Sequence, residues 1–344
     1  IPTATWNVNS TALISGITGT RPEGYGQNFG NFTWQSSSQN ADISFAAGLG
    51  VIGGNLTIAN TGSASLNLMF SGPDTYTNTV NGDFIQTGGI FRLAGNEGNG
   101  AANMTLNIGG NFSLSGGTFD VQGNITYGGT GIVNVNGNVS LSSGTLTETG
   151  SGTANFNFTG TNANRTYSRS STTISNTINF AVNPLSTVDF GTSILNGSNG
   201  TFILNSTATI ITAHEQGLSA SGTSGSIQTT GVRTYNASAN YVYNGQYDQV
   251  SGNGLTNAAN LTINVGRNFT LTAATNVSGV LSLQSGVVAT TSTNILRVTN
   301  TSANAIVGGS ESAYVSGPLL RNLPASSSIV AAYNFPVGTG TYYT

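Results

Sequence analysis

The sequence predicts an all-β chain wound as a parallel β-helix, that is, a β-solenoid. Three observations predict it. Apolar and polar residues alternate with a period of two, Gly and Asn interrupt that alternation every few residues, and the resulting unit recurs along the chain.

The alternation is clearest between Met104 and Val121. Met104, Leu106 and Ile108 alternate with polar residues, Gly109-Gly110-Asn111 interrupts, and Phe112 and Leu114 resume. A second break at Gly116-Gly117 precedes Phe119 and Val121. The pattern reads as strand, turn, strand, turn, strand, because period two places one face inward and Gly and Asn supply the corners. Three short strands within about 20–30 residues make one coil of a solenoid.

The recurrence is explicit. Gly82–Phe91 reads GDFIQTGGIF, Gly110–Phe119 GNFSLSGGTF and Gly137–Leu146 GNVSLSSGTL, with starts 28 and 27 residues apart. Asn103–Leu114, NMTLNIGGNFSL, returns as NLTINVGRNFTL at Asn260–Leu271. An antiparallel meander demands no fixed repeat length, whereas a stack of coils does. Coils of about 24 residues would give roughly a dozen to fourteen turns.

Composition supports the same class. Only 6% of residues are charged, against about 25% in ordinary soluble domains. There is no Lys and no Cys, and His214 is the single histidine. The charged helix formers are therefore missing, and no dozen-residue window carries a 3.6-residue periodicity. A hydrophobic share of 37% is too high for a disordered chain. Residues 51–311 are expected to form the solenoid body, with 1–50 as an N-terminal cap or first coils and 312–344 as a C-terminal β-segment or cap.

Charge excludes one class of partner. Eight scattered Arg and a net charge of −3 offer nucleic acid no basic patch. No stretch approaches the roughly 20 apolar residues of a membrane span. The start at Ile1-Pro2-Thr3 fits a mature secreted chain whose signal has been removed, although a shortened chain would read the same.

Asn-x-Ser/Thr is the most frequent chemical motif. It occurs at Asn9, Asn31, Asn55, Asn103, Asn111, Asn124, Asn138, Asn157, Asn164, Asn196, Asn199, Asn205, Asn236, Asn260, Asn268, Asn276 and Asn300. With 43 Asn and about a quarter of all positions Ser or Thr, chance accounts for most of these sites. Two roles compete for them. They can carry covalent glycans, which would hydrate a surface so poor in charge. They can also form amide ladders at coil corners, where Asp83, Asn111 and Asn138 occupy equivalent positions.

Catalytic chemistry has little to build on. Eleven acidic residues are dispersed, with no adjacent pair and no Asp-x-Asp-x-Asp run. The coil alignment places Arg92 and Asp120 one coil apart, where a surface ion pair is expected. His214-Glu215 reads as a polar surface pair with no accompanying nucleophile. No catalytic, cofactor or metal site is predicted, and isolated Asp and Asn corners offer Ca²⁺ only an unspecific place. Tyr235, Tyr241, Tyr243 and Tyr247 are the candidates for stacking against a sugar, with a core stack as the competing role.

The opening TWNVNSTALISGIT, the central GNFSLSGGTF units and the closing SAYVSGPLLRNLPAS and YNFPVGTGTYY resemble the large, repetitive secreted surface proteins of Bacteroidota. The resemblance is most specific over Tyr314–Tyr343. It implies a right-handed β-helix, export to the cell surface and an adhesive or structural role without catalytic residues.

The expected function is that of a non-enzymatic, extracellular structural protein, a glycosylated filament or stalk subunit. A solenoid leaves an open strand edge at each end, and head-to-tail pairing of such edges gives a filament rather than a closed ring. Ile1–Val8 or the Tyr-rich tail could add as the pairing strand, making a head-to-tail homo-oligomer. The alternatives are an adhesin or glycan-binding module with surface glycans as partners and, behind it, a polysaccharide-active β-helix enzyme.

Overall fold

The computed structural model describes residues 1–45, 48–71, 74–98, 100–161, 163–325 and 332–339. The part of the Tyr-rich tail in 340–344 lies outside the described residues. The chain is 48% strand and 1% helix, and its parallel strands stack as successive coils of a β-solenoid, about 13 in all. Among the described residues the helix is a single 3₁₀ turn, Ala303–Ala305. The residues divide into two compact units. One comprises Ile1–Gly160, Arg165–Ala181 and Gly197–Thr201, and the other Thr161–Asn164, Val182–Asn196 and Phe202–Thr344.

In the first unit the repeat seen in the sequence is the coil. Phe84 pairs with Phe112 and Phe112 with Val139, so equivalent residues of GDF, GNF and GNV lie directly above one another. The same column includes Ala12, Phe32 and Leu56 before Phe84 and Tyr167 after Val139, all buried. The Phe84 and Phe112 rings stack at 5.2 Å and 14°. Phe119 meets Phe84 and Phe112 edge-on at 5.1 Å each, and Phe156 meets Phe112 at 5.2 Å. In-register stacking turns one apolar position per coil into a continuous core, which is why Phe, Leu and Val recur there. A second sheet stacks Asn103–Ile108 between Thr75–Val80 and Gly129–Val135.

One expected turn is absent. The break at Gly116-Gly117 does not end a strand, because Phe112–Asp120 runs as one nine-residue strand. Its register to Val139–Thr147 shifts on either side of Ser115, and Gly117 takes φ +74°. The glycines therefore make a bulge, re-aiming Phe119 inward without leaving the sheet.

The Gly-Asn corners have a steric reason. The Gly137 amide donates to the Gly110 carbonyl at 2.8 Å, and Gly110 to Gly82 at the same distance. A Cβ on Gly137 would lie 2.3 Å from the Gly110 oxygen. Backbone meets backbone at each corner, and only glycine allows that approach.

In the second unit Ile210, Tyr241, Leu261, Leu281 and Ile306 form the equivalent buried column. The returning repeat Asn260–Thr270 is one continuous strand of eleven residues, whose register to Leu281–Ala289 shifts on either side of Asn264, the second shift falling where its first copy has the corner.

Candidate functional site

The corners carry the amide ladder expected at Asp83, Asn111 and Asn138, and it is longer than expected. The side-chain Oδ1 of Asn31 accepts from the Asn55 amide at 2.8 Å, Asn55 from Asp83 at 2.8 Å, Asp83 from Asn111 at 2.7 Å, Asn111 from Asn138 at 2.9 Å and Asn138 from Thr166 at 2.9 Å. Each side chain thus satisfies the backbone N–H one coil further on, where the corner breaks the strand ladder. A side-chain ladder joins Asn107, Asn134 and Asn157 at 2.8 and 2.9 Å. The second unit repeats the device from Asn240 to Asn260 at 2.7 Å and from Asp248 to Asn268 at 3.1 Å.

The ladders bear on the glycan candidates. Nδ2 of Asn31, Asn111, Asn157, Asn205, Asn260, Asn268, Asn276 and Asn300 already donates to a neighbouring coil or segment. Asn124 is a correction: it is fully buried, with its oxygen accepting from the Tyr127 amide, and no glycosyl group reaches it. Asn55, Asn103, Asn196 and Asn236 are half-buried, whereas Asn9, Asn138, Asn164 and Asn199 are exposed.

Replacing Asn111 by Ala removes the acceptor for the Asn138 amide and a donor to Asp83. The expected loss is about 1 kcal/mol, since solvent reaches this corner. Urea titration gives the stability, and amide exchange at Asn138 should quicken in the variant. Unchanged protection of that amide would show that the ladder contributes nothing.

Arg92 and Asp120 stand one coil apart in register, with Nε 3.4 Å from Oδ2. They are not the expected surface pair. Asp120 is 1% exposed, because the strand carries it inward at its end. Its carboxylate also accepts from the Thr149 amide at 3.1 Å. Arg92 reaches Asp42 at 3.6 Å and donates to the Ser65 hydroxyl at 3.0 Å. Glu148 is buried next in the chain, and its Oε1 has no hydrogen-bond partner. The fold therefore sets Arg92 between Asp42 and Asp120, and places Glu148 where it feels the Asp120 charge, although the sequence disperses them. Burial pushes the Asp120 carboxyl above its usual value, against the lowering effects of Thr149 and Arg92. Burial, and then the neighbouring Asp120, raise Glu148. The Asp120 carboxylate is sealed from solvent, so its effect is on stability.

Asp120 and Glu148 both hold a proton more tightly folded than unfolded, so what they contribute to stability is fully present below their ordinary values of 3.8 and 4.5. That contribution is lost as pH rises through the raised folded values. Denaturation midpoints between pH 4 and 7 should fall with pH, and Asp120→Asn should flatten the fall. A variant with an undiminished slope would remove Asp120 as its source.

The four tyrosines separate. Tyr241 and Tyr243 are 1% and 0% exposed, so the stacking role assigned to them is corrected: they are core. Their hydroxyls donate to the Asn236 and Ser251 carbonyls at 2.9 and 2.7 Å. Burial raises both hydroxyl pKa values. Tyr235 is half-buried, packs against Phe202 at 6.0 Å and donates to the Ser219 carbonyl at 3.2 Å. A signal for this was present. Asn240-Tyr241-Val242-Tyr243-Asn244 parallels Asn260-Leu261-Thr262-Ile263-Asn264, which puts the tyrosines at leucine and isoleucine positions.

Tyr247 differs, at 73% exposed. It lines a cleft of about 360 Å³ with Thr192, His214, Glu215, Gln246 and Asp248. The His214–Glu215 pair is thus part of a concave site. His214 Nδ1 accepts from the Gln216 amide at 3.1 Å, which leaves Nε2–H as the donor of the neutral ring. Burial lowers its pKa, with Glu215 opposing.

Among the described residues, no group of three or more His, Asp or Glu could hold a metal ion, and no helix is long and apolar enough to cross a membrane. The chain matches no family model, no curated protein and no solved structure.

Proposed function

We propose that this chain is a non-enzymatic structural protein of the extracellular surface, a solenoid subunit that joins end to end into a filament or stalk. One observation carries the reading: what recurs from coil to coil is scaffold. In the first unit the repeated positions are the glycine corner, the laddered amide and the stacked apolar ring. A chain selected for stiffness repeats such elements, whereas a catalytic site needs a local departure from them.

Strand addition is the favoured mode of joining. Thr11–Ser15 pairs on one side with Asn31–Gln35 and, among the described residues, shows no partner strand on the other. Leu13 on this strand is 56% exposed. A cleft of about 540 Å³ lies beside it, lined by Ile1, Trp6, Leu13, Ile14 and Ile17 among others. An unpaired edge flanked by apolar surface is a template for another strand. Glycans at the exposed Asn138 and Asn164 would hydrate the sides and leave the ends to associate.

Electron microscopy and sedimentation across a concentration series test the proposal. Fibres that lengthen with concentration are expected, as is a block to elongation by Leu13→Glu or by removal of Ile1–Val8. Single particles at every concentration would overturn it. Peptide mass spectrometry of native material reports on the glycans.

A further inference from the structure

We propose that the cleft at Tyr247 is a binding site for a neutral saccharide. Three features converge there. The first is the ring itself. At 73% exposed, against 46% for Tyr127, Tyr247 leaves most of its ring uncovered inside a cleft, and its face suits the C–H face of a pyranose. Arg267 approaches the ring at 5.8 Å from its centroid, so one side is shielded and the ring is steadied.

The second feature is the mixture of polar groups around the ring. Glu215 and Asp248 supply acceptors, and His214, Gln246 and Thr192 supply donors. Asp248 Oδ1 is fixed by the Asn268 amide and side chain at 3.1 Å each, and its other oxygen is left for a ligand. Donors and acceptors interleaved about an aromatic plane match a ring of hydroxyls. Two carboxylates against one guanidinium disfavour an anionic sugar. A cationic ligand would have to sit on a ring that Arg267 already approaches.

Third, the cleft is braced from behind. The buried Gln249 donates from Nε2 to the carbonyls of Thr212 and His214 at 2.9 and 3.0 Å, and its Oε1 accepts from the Gly245 amide at 3.0 Å. The Val250 amide donates to the Glu215 carbonyl at 2.8 Å. Both walls are thus tied through one buried side chain, so binding orders little.

The full chain should be titrated with maltotriose, cellotriose, laminaritriose and triacetylchitotriose. Trigalacturonic acid and a lysine-rich peptide serve as charged comparators, with saturation-transfer NMR and calorimetry as readouts. At least one neutral trisaccharide is expected to bind, and Tyr247→Ala should weaken it about tenfold or more. Tyr247→Phe should retain binding, as should Tyr127→Ala at an exposed tyrosine elsewhere. Tyr247→Ala should unfold at the same temperature as the parent, which separates lost binding from lost fold. Failure of every neutral trisaccharide, binding indifferent to Tyr247→Ala, or preference for either charged comparator would overturn the proposal.

Discussion

Replacing Phe112 by Ala should destabilise the first unit by about 3–5 kcal/mol, the range for deleting a fully buried aromatic ring. The ring has no exposed surface. It touches three others, Phe84, Phe119 and Phe156, each with centroids within 5.2 Å. The loss combines hydrophobic transfer, the cavity left behind and aromatic pair terms of about 0.5–1.5 kcal/mol each. Coils contact only their neighbours, so damage at Phe112 should be felt first at Phe84 and Val139. Trp6 and Trp34 both lie in this unit, so tryptophan fluorescence during urea denaturation reads it directly. Phe112→Leu, which keeps most of the volume, should cost less than about 1.5 kcal/mol. A loss below about 1 kcal/mol for the alanine variant would mean that the column is not packed as described.

Tyr243→Ala should have a comparable effect on the second unit, again about 3–5 kcal/mol. The ring is fully buried and packs against Phe269 at 4.7 Å. Its hydroxyl donates to the Ser251 carbonyl at 2.7 Å. Tyr243→Phe isolates the hydroxyl and should cost about 1 kcal/mol, because the Ser251 carbonyl loses one of its two donors and keeps the Leu218 amide. Hydrogen exchange over Asn240–Tyr243 and its in-register neighbours Thr209–Thr212 and Asn260–Ile263 is the measurement. Tyr247→Ala, only four residues on, should stay within about 0.5 kcal/mol of the parent, as surface changes do. Equal losses at Tyr243 and Tyr247 would contradict this division between core and surface.

These contrasts mark how far the residues alone carry the reading. Parallel coils, their 27- and 28-residue spacing around Phe112 and the corner ladder through Asp83, Asn111 and Asn138 were legible in the sequence. A fixed repeat with alternating apolar residues leaves one way to bury every coil, which is to stack each on the last. Depth was not legible. Tyr241 and Tyr247 have the same chemistry, and only strand pairing decides that one faces Leu261 while the other lies beyond the corner. The alignment of Arg92 with Asp120 was visible, but the carboxylate's burial depends on how the strand ends turn inward. The union of His214 with Tyr247 joins residues from different coils. Local sequence fixes what each coil repeats, whereas accessibility and convergence are properties of the stack, set by side chains far apart along the chain.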